Sequence, residues 1–211
     1  VQLAGGTEIH TQNLVLAIGV GEQPAWPDWA PRGENRVQHV FDPELAECSS
    51  DREKVIVIGG GISAGQVALR LVDEGHEVHL VSRHALRKHQ YDSDPGWLGP
   101  KHMVKFSRER DFDRRRSMIA KARYRGSVTP NVKQALGRAI SLKQLLWHED
   151  EVDELDVQND VVSLKLSNDI RLEADRVLLA TGFSSQRPGG ELVDSLIASA
   201  SLECAMCGYP I

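Results

Sequence analysis

Long apolar runs are missing from the 211 residues. None approaches the roughly 20 residues that a membrane-spanning helix needs, and no signal-peptide pattern opens the chain. Cysteine is scarce: Cys48, Cys204 and Cys207 are too few for a disulfide framework, so a reducing, cytoplasmic setting is expected. No recognised nucleic-acid-binding motif or aromatic platform accompanies the basic residues, which argues against nucleic acid as a partner. An initiating methionine is absent too, and the chain opens at Val1 in the middle of a pattern.

What is present is ordinary for a globular protein, with 41% hydrophobic and 26% charged residues. The length allows one domain and part of another. The informative stretch is Lys54 to Gly75, KVIVIGGGISAGQVALRLVDEG. Val55, Ile56, Val57 and Ile58 form an unbroken apolar run, as in a strand buried on both faces of a parallel sheet. Gly59, Gly60 and Gly61 follow. Val67, Ala68, Leu71 and Val72 then recur at helical spacing, and Gly75 stands where a helix C-terminus is expected. Strand, glycine turn and helix in that order suit a dinucleotide pyrophosphate. Gly59 permits the tight turn, Gly61 lets backbone approach the phosphates, and Ala64 takes the third small position, where helix and strand pack.

A glycine pattern alone is weak, but a second strand follows at Glu77 to Ser82, EVHLVS. Its end lies about 20 residues past the loop, where NAD readers usually carry Asp or Glu. A carboxylate is lacking there. Ser82 is followed by Arg83, His84, Arg87 and Lys88, so NADP(H) is expected over NAD(H). A net charge of −5 conceals a related imbalance. Residues 83–125 hold 13 Lys/Arg against 5 Asp/Glu, or +8, leaving −13 for the rest. That segment is either a solvated helical face or an attractor for an anionic cofactor.

Elsewhere, Val1 to Val20 reads as a hairpin followed by a buried strand, Leu14 to Gly19. Val161 to Phe183 reads the same way, ending in the strand Arg176 to Thr181, so the two form a weak internal repeat. Pro24, Trp26, Pro27, Trp29 and Pro31 mark a rigid connector. Val37 to Phe41 reads as a short extended piece in which His39 is structural, and Asp42 to Leu45 as a turn. His89 to Pro100 is turn-rich: a loop near a nicotinamide, or a packed connector. Helices are expected over Asp113 to Arg125 and Pro130 to Ser141, a third sheet strand at Leu145 to Trp147, a β-meander over Glu151 to Leu172, and a helix over Glu191 to Ala200. Cys48 reads as an inert small residue. Cys204-Ala205-Met206-Cys207 invites a redox or half-zinc reading, but a second CxxC and a nearby His pair are lacking.

GGGISAGQVA after a buried strand, the meander, and two strand ends reading Ala-x-Gly together resemble the two-dinucleotide-binding flavoproteins. In that superfamily an NAD(P)H domain is inserted into an FAD domain, both Rossmann-like. The glycine loop is similar to that of flavin-dependent monooxygenases, particularly the lysine and ornithine N-hydroxylase type, in which Ser also follows the second glycine by two positions, as Ser63 follows Gly61. There are departures. A second strand-GxGxxG-helix for FAD is absent, Gly33 to Phe41 match the glycine-histidine fingerprint of monooxygenases only in part, and no paired cysteines stand where disulfide reductases keep theirs.

The resemblance implies an α/β fold: a Rossmann-like parallel sheet with a β-meander crossover, flanked by remnants of a second, FAD-binding domain. Residues 1–50 would be the tail of that domain and a connector, 51–185 the NAD(P)H-binding domain, and 186–211 a return segment. Gly59, Gly60, Gly61, Ile62, Ser63 and Ala64 would hold the pyrophosphate of NADP(H). Ser82, Arg83, His84 and Arg87 would read its 2′-phosphate, and Thr181 and Gly182 would border the site. The full-length protein would carry FAD and oxygenate a small-molecule substrate. Two alternatives stay open: a disulfide-reductase-like flavin reductase and a non-catalytic dinucleotide-binding module. No side chain is assigned as acid, base, nucleophile or metal ligand, and the piece alone is expected to bind NADPH without turnover.

Overall fold

The computed structural model describes residues 1–3, 5–46, 51–206 and 208–210. Cys48 and Cys207, and with Cys207 the pairing of the CxxC, lie outside the described residues. In chain order the elements are β1 (Val37–His39), β2 (Lys54–Ile58), α1 (Ile62–Asp73), β3 (Glu77–Ser82), β4 (Arg87–Lys88), α2 (Pro100–Arg108), α3 (Phe112–Ala122), β5 (Ser127–Val128), α4 (Pro130–Ser141), β6 (Leu145–Glu149), β7 (Val152–Gln158), β8 (Val161–Leu166), β9 (Arg171–Ala174), β10 (Arg176–Leu179) and α5 (Gly190–Ala200). Among the described residues no helix is long and apolar enough to cross a membrane.

The apolar run of β2 takes a central place in a parallel sheet of order β1-β10-β2-β3-β6. Its β-branched residues are covered on both faces, and Val55, Ile56 and Val57 have no exposed surface. On one face Val55, Val57, Val78, Leu80 and Leu145 pack under α1 and α4. On the other, Ile56, Ile58, Val81, Val177 and Leu179 pack under the antiparallel β7-β8-β9 meander through Leu155, Val162, Leu164 and Leu166. Fully burying one such side chain is worth about 1.5–3 kcal/mol. The result is three layers: helices, parallel sheet and meander.

Local signals set the helix ends. After α1, Gly75 turns left-handed with φ +92°. Its N–H bonds to Val72 O and that of His76 to Leu71 O, a paired closure that satisfies two free carbonyls. Thr129 caps α4 through the Val132 N–H, and Pro130 occupies the first turn. α1 and α4 meet at Gly65, where an added Cβ would stand 2.7 Å from Val132 Cγ1.

The meander, the third strand and the tail helix are found where the sequence pattern puts them. Other elements differ. α3 starts at Phe112 and ends at Ala122, because Asp111, not Asp113, accepts the N–H groups of the first turn. Within His89 to Pro100, Asp94 caps a 3-10 turn over Pro95–Leu98. α2 follows it, a helix that the sequence reading lacks.

The larger correction is at the N-terminus. Gln2 and Glu8 form one antiparallel bridge, the outline of a hairpin. Leu14 to Gly19 forms no strand, and its apolar side chains are exposed, Val15 at 87%. A buried strand needs ladder partners and cover on both faces. This run has no ladder partner among the described residues, so the repeat holds only in its second copy, β8-β9 followed by β10.

Candidate functional site

The strand order places neighbouring strands on both sides of β2, so the chain leaves β2 in one direction and returns at β10 on the other side. A crevice at the carboxyl ends of strands at such a reversal is where open α/β sheets take ligands. Gly59, Gly60 and Gly61 lie at this point.

The three glycines answer to different constraints. Gly59 has φ +151°, and a Cβ there would lie 2.5 Å from Ala180 O and 3.1 Å from Ala64 Cβ. Turn and close packing both require glycine. Gly60 faces the His84 ring, whose Cε1 would be 3.0 Å from an added Cβ. Gly61 caps α1 with φ −96°, and the nearest atom to an added Cβ is Gly126 Cα at 3.7 Å. Neither backbone strain nor a protein neighbour requires glycine at Gly61. An added Cβ would instead fill the open cradle above the helix.

The start of α1 faces that cradle with its backbone donors. No side chain caps it and no acidic residue lies in its first turn. Ile62 is 41% exposed, Ser63 is half-buried and Ala64 is buried against the turn. Helix amides without a side-chain acceptor, under a position open to close approach, suit an anion. The residues present therefore fit the pyrophosphate of a dinucleotide.

The four candidate residues at and beyond the end of β3 divide into frame and surface. Ser82 is 3% exposed. Its hydroxyl donates to His84 O at 3.0 Å and accepts the Trp147 indole N–H at 2.9 Å. It thus fixes the turn and does not face outward. Arg83 and Arg87 are exposed, and their side chains make no ion pair or hydrogen bond among the described residues. The His84 ring is held by Nδ1 against Ala85 O at 2.9 Å.

At the end of β10, Thr181 Oγ1 donates to Ala25 O, and Gly182 O accepts the Ala25 N–H at 2.8 Å. These bonds, with Ser184 N–H to Gln23 O, stitch the proline-rich connector to the strand end. Gly182 needs glycine for its φ of +81°, and an added Cβ would meet open space. His39 ends β1 fully buried, accepting the Phe41 N–H on Nδ1 at 3.3 Å. Burial lowers its pKa, offset in part by the Gly182 carbonyl and Asp42. Phe41 stacks on Phe183 beside it at 4.9 Å. His39 is part of the frame, as its pattern suggested.

Sequence reading missed Gly126. It has φ +68°, and an added Cβ would be 2.9 Å from His84 Nε2. The parallel β4-β5 pairing, Arg87 with Ser127, brings it back to the glycine loop. The local signal was a lone Arg-Gly-Ser turn before the Thr129 cap. Its nearness to residue 61 is a long-range fact that no local pattern carries.

Parallel strands, a glycine turn at the reversal point and an open helix start define a Rossmann-like dinucleotide-binding fold. The profile of the pyridine nucleotide-disulphide oxidoreductase family matches residues 3–112, and the chain belongs to that family. No curated protein sequence matches significantly. Among solved structures the chain is similar to ornithine hydroxylase PvdA from Pseudomonas aeruginosa, at 19% identity and a TM-score of 0.65 over 85% of this chain and 47% of that one. It is also similar to L-lysine 6-monooxygenase from Pseudomonas syringae, at 22% identity and a TM-score of 0.59 over 88% and 49%. A third is the ornithine N-hydroxylase KtzI of Kutzneria sp. 744, in its structure with reduced FAD, NADP+ and L-ornithine, at 19% identity and a TM-score of 0.59 over 82% and 47%. At these identities the likeness is one of fold. The chain spans about half the length of these three proteins.

Proposed function

We propose that this chain is the NADPH-binding region of an FAD-dependent oxidoreductase, a monooxygenase of the N-hydroxylating type, working on a small-molecule substrate in the cytoplasm. Residues 51–185 form the nucleotide-binding unit, and 1–50 and 186–211 belong to the flavin-binding part. The observation that carries the reading is Gly61: a glycine that the protein's own packing does not require, over the uncapped start of α1. The match in fold to an ornithine hydroxylase and an L-lysine 6-monooxygenase supports the class.

In this reading the chain's task is to bind and orient. The amides at the start of α1 take the pyrophosphate, with Gly59 to Ala64 shaping the cradle. Arg83 and Arg87 pair with the 2′-phosphate, and no carboxylate at the end of β3 repels it. Ser82 and Trp147 hold the turn that presents them. Thr181 and Gly182 border the crevice. Bound FAD would supply acceptance of a hydride from NADPH and activation of oxygen.

The family profile itself favours a second reading, a flavin reductase acting on disulfides or small electron carriers. Oxygen consumption without an added acceptor by the FAD-containing protein separates the two. The binding reading is tested by calorimetric titration of the chain with NADPH and NADH, unaltered and as Arg83→Ala. Tighter binding of NADPH that Arg83→Ala abolishes supports it. Equal binding of both, unchanged by Arg83→Ala, overturns the NADP assignment.

A further inference from the structure

The excursion between β3 and α4 leaves the sheet at Arg83, and its two ends pair with each other as β4 and β5 beside the glycine loop. The His84 imidazole is clasped between two glycines. Its Cε1 lies 3.0 Å from an ideal Cβ on Gly60, and its Nε2 lies 2.9 Å from one on Gly126. Gly126 is also the nearest neighbour of the open position above Gly61. The returning strand is locked in place by the parallel pairing of Arg87 with Ser127, and by His89 N–H to Val128 O at 3.0 Å.

Arg125 immediately precedes Gly126. The contact of Gly126 with His84 brings the turn that carries Arg125 beside the segment that carries Arg83 and Arg87. Three other arginines of the return, Arg115, Arg116 and Arg123, are engaged. Arg123 pairs with Asp92 at 3.1 Å. Arg115 donates to Glu109 O and Ser107 O, and Arg116 lies over the Tyr209 ring at 4.3 Å. Arg125 is exposed, and its side chain has no ion pair or hydrogen bond among the described residues. An unpaired guanidinium costs nothing in lost partners when a phosphate arrives. A phosphate monoester offers three oxygens, enough for guanidinium forks from two directions.

We propose that Arg125 is a specificity-determining residue that reads the 2′-phosphate of NADPH from the turn leading into β5, across the His84 clasp from Arg83, with that clasp setting the distance between them. This rests on the reading of the glycine loop as an NADPH site. It also gives the two ends of the basic arm a local role, since Arg83, Arg87 and Arg125 stand there beside the glycine loop.

The test is calorimetric titration of the 211-residue chain with NADPH and with NADH, as the unaltered protein and as Arg125→Ala, Arg125→Lys and Arg116→Ala. Arg116→Ala removes the same charge from the same arm, away from the clasp. Arg125→Ala should weaken NADPH at least about tenfold and leave NADH within about twofold. Arg125→Lys should recover part of the loss, and Arg116→Ala should change either nucleotide by less than about threefold. An unaltered chain that prefers NADPH, with Arg125→Ala no worse than Arg116→Ala or weakening both nucleotides equally, overturns the proposal alone. An unaltered chain that binds neither nucleotide, or binds both equally, overturns the underlying reading and this proposal with it.

Discussion

His79 Nδ1 and His148 Nε2 lie 3.0 Å apart, on adjacent parallel strands, with their rings 4° from parallel. One ring donates and the other accepts, which requires at least one of them to be neutral. Burial lowers both pKa values. For His79, Glu77 offsets this in part while Lys54 adds to it; for His148, a charge on His79 adds to it while Asp150 offsets it. His39, buried at the end of β1, is shifted the same way.

The sign of the pH dependence follows. A histidine whose folded pKa lies below its unfolded value of about 6.5 stabilises the fold above that pH. That stability is lost as pH falls through the folded values, because the unfolded chain takes up protons that the folded one refuses. Urea midpoints should hold level from pH 8 to 7 and fall from about pH 6.5 to 5. The slope reaches at most about 1.4 kcal/mol per pH unit for each proton. His148→Gln should flatten it. A midpoint that stays level or rises over pH 6.5 to 5 contradicts the burial of these rings.

Gly65 makes a prediction about packing alone. A Cβ there would approach Val132 Cγ1 to 2.7 Å and Leu136 Cδ1 to 3.2 Å. Helix propensity favours Ala over Gly by roughly 1 kcal/mol, but overpacking a close helix pair costs about 1–3 kcal/mol. Gly65→Ala should therefore be neutral to destabilising, and Gly65→Val plainly destabilising. Val132→Ala should rescue Gly65→Ala, because it removes the methyl that the new Cβ meets. Thermal melts of the three variants decide this, and a stabilising Gly65→Val would mean that α1 and α4 are further apart.

Ser82 shows both what was legible and what was not. Its place at the end of the second strand was readable from the stretch EVHLVS and its offset from the glycine loop. Its partner was not: Trp147 stands 65 residues away on β6. Ser82→Ala leaves a half-buried indole N–H and the His84 carbonyl without that hydroxyl, which should cost about 1–3 kcal/mol. Trp147→Phe should cost less in the Ser82→Ala background than alone. Additive losses in that double-mutant cycle would show that the two are not coupled.

The same division runs through the molecule. β2, α1 and the meander were legible because periodicity and turn chemistry are local. Leu14 to Gly19 was misread because an apolar run predicts a strand only where a ladder awaits it. α2 was missed because no capping side chain announces its start: Gly99 stands at its N-cap, directly after the turn-rich stretch. Gly126 was missed because nothing near it in sequence announces what it touches.

Gly59 and Gly61 separate fold from function most sharply. Alanine at Gly59 must tolerate φ +151° and a contact of 2.5 Å with Ala180 O, a backbone atom held in the ladder by Ala180 N–H to Ile58 O. Neither side can move without breaking the join of β2 and β10. Gly59→Ala should lose several kcal/mol, on the order of 2–4. Alanine at Gly61 meets only Gly126 Cα at 3.7 Å, with φ already at −96°. Gly61→Ala should melt within a few degrees of the unaltered chain. Its methyl would nevertheless fill the space where a pyrophosphate must approach α1, so NADPH binding should fall at least about tenfold while the fold is kept. Melting and titration of both variants give the answer. A Gly61→Ala chain that binds NADPH normally would mean that the cradle is not where the phosphates lie. A Gly61→Ala chain that fails to fold would mean that the third glycine serves the turn, as Gly59 does.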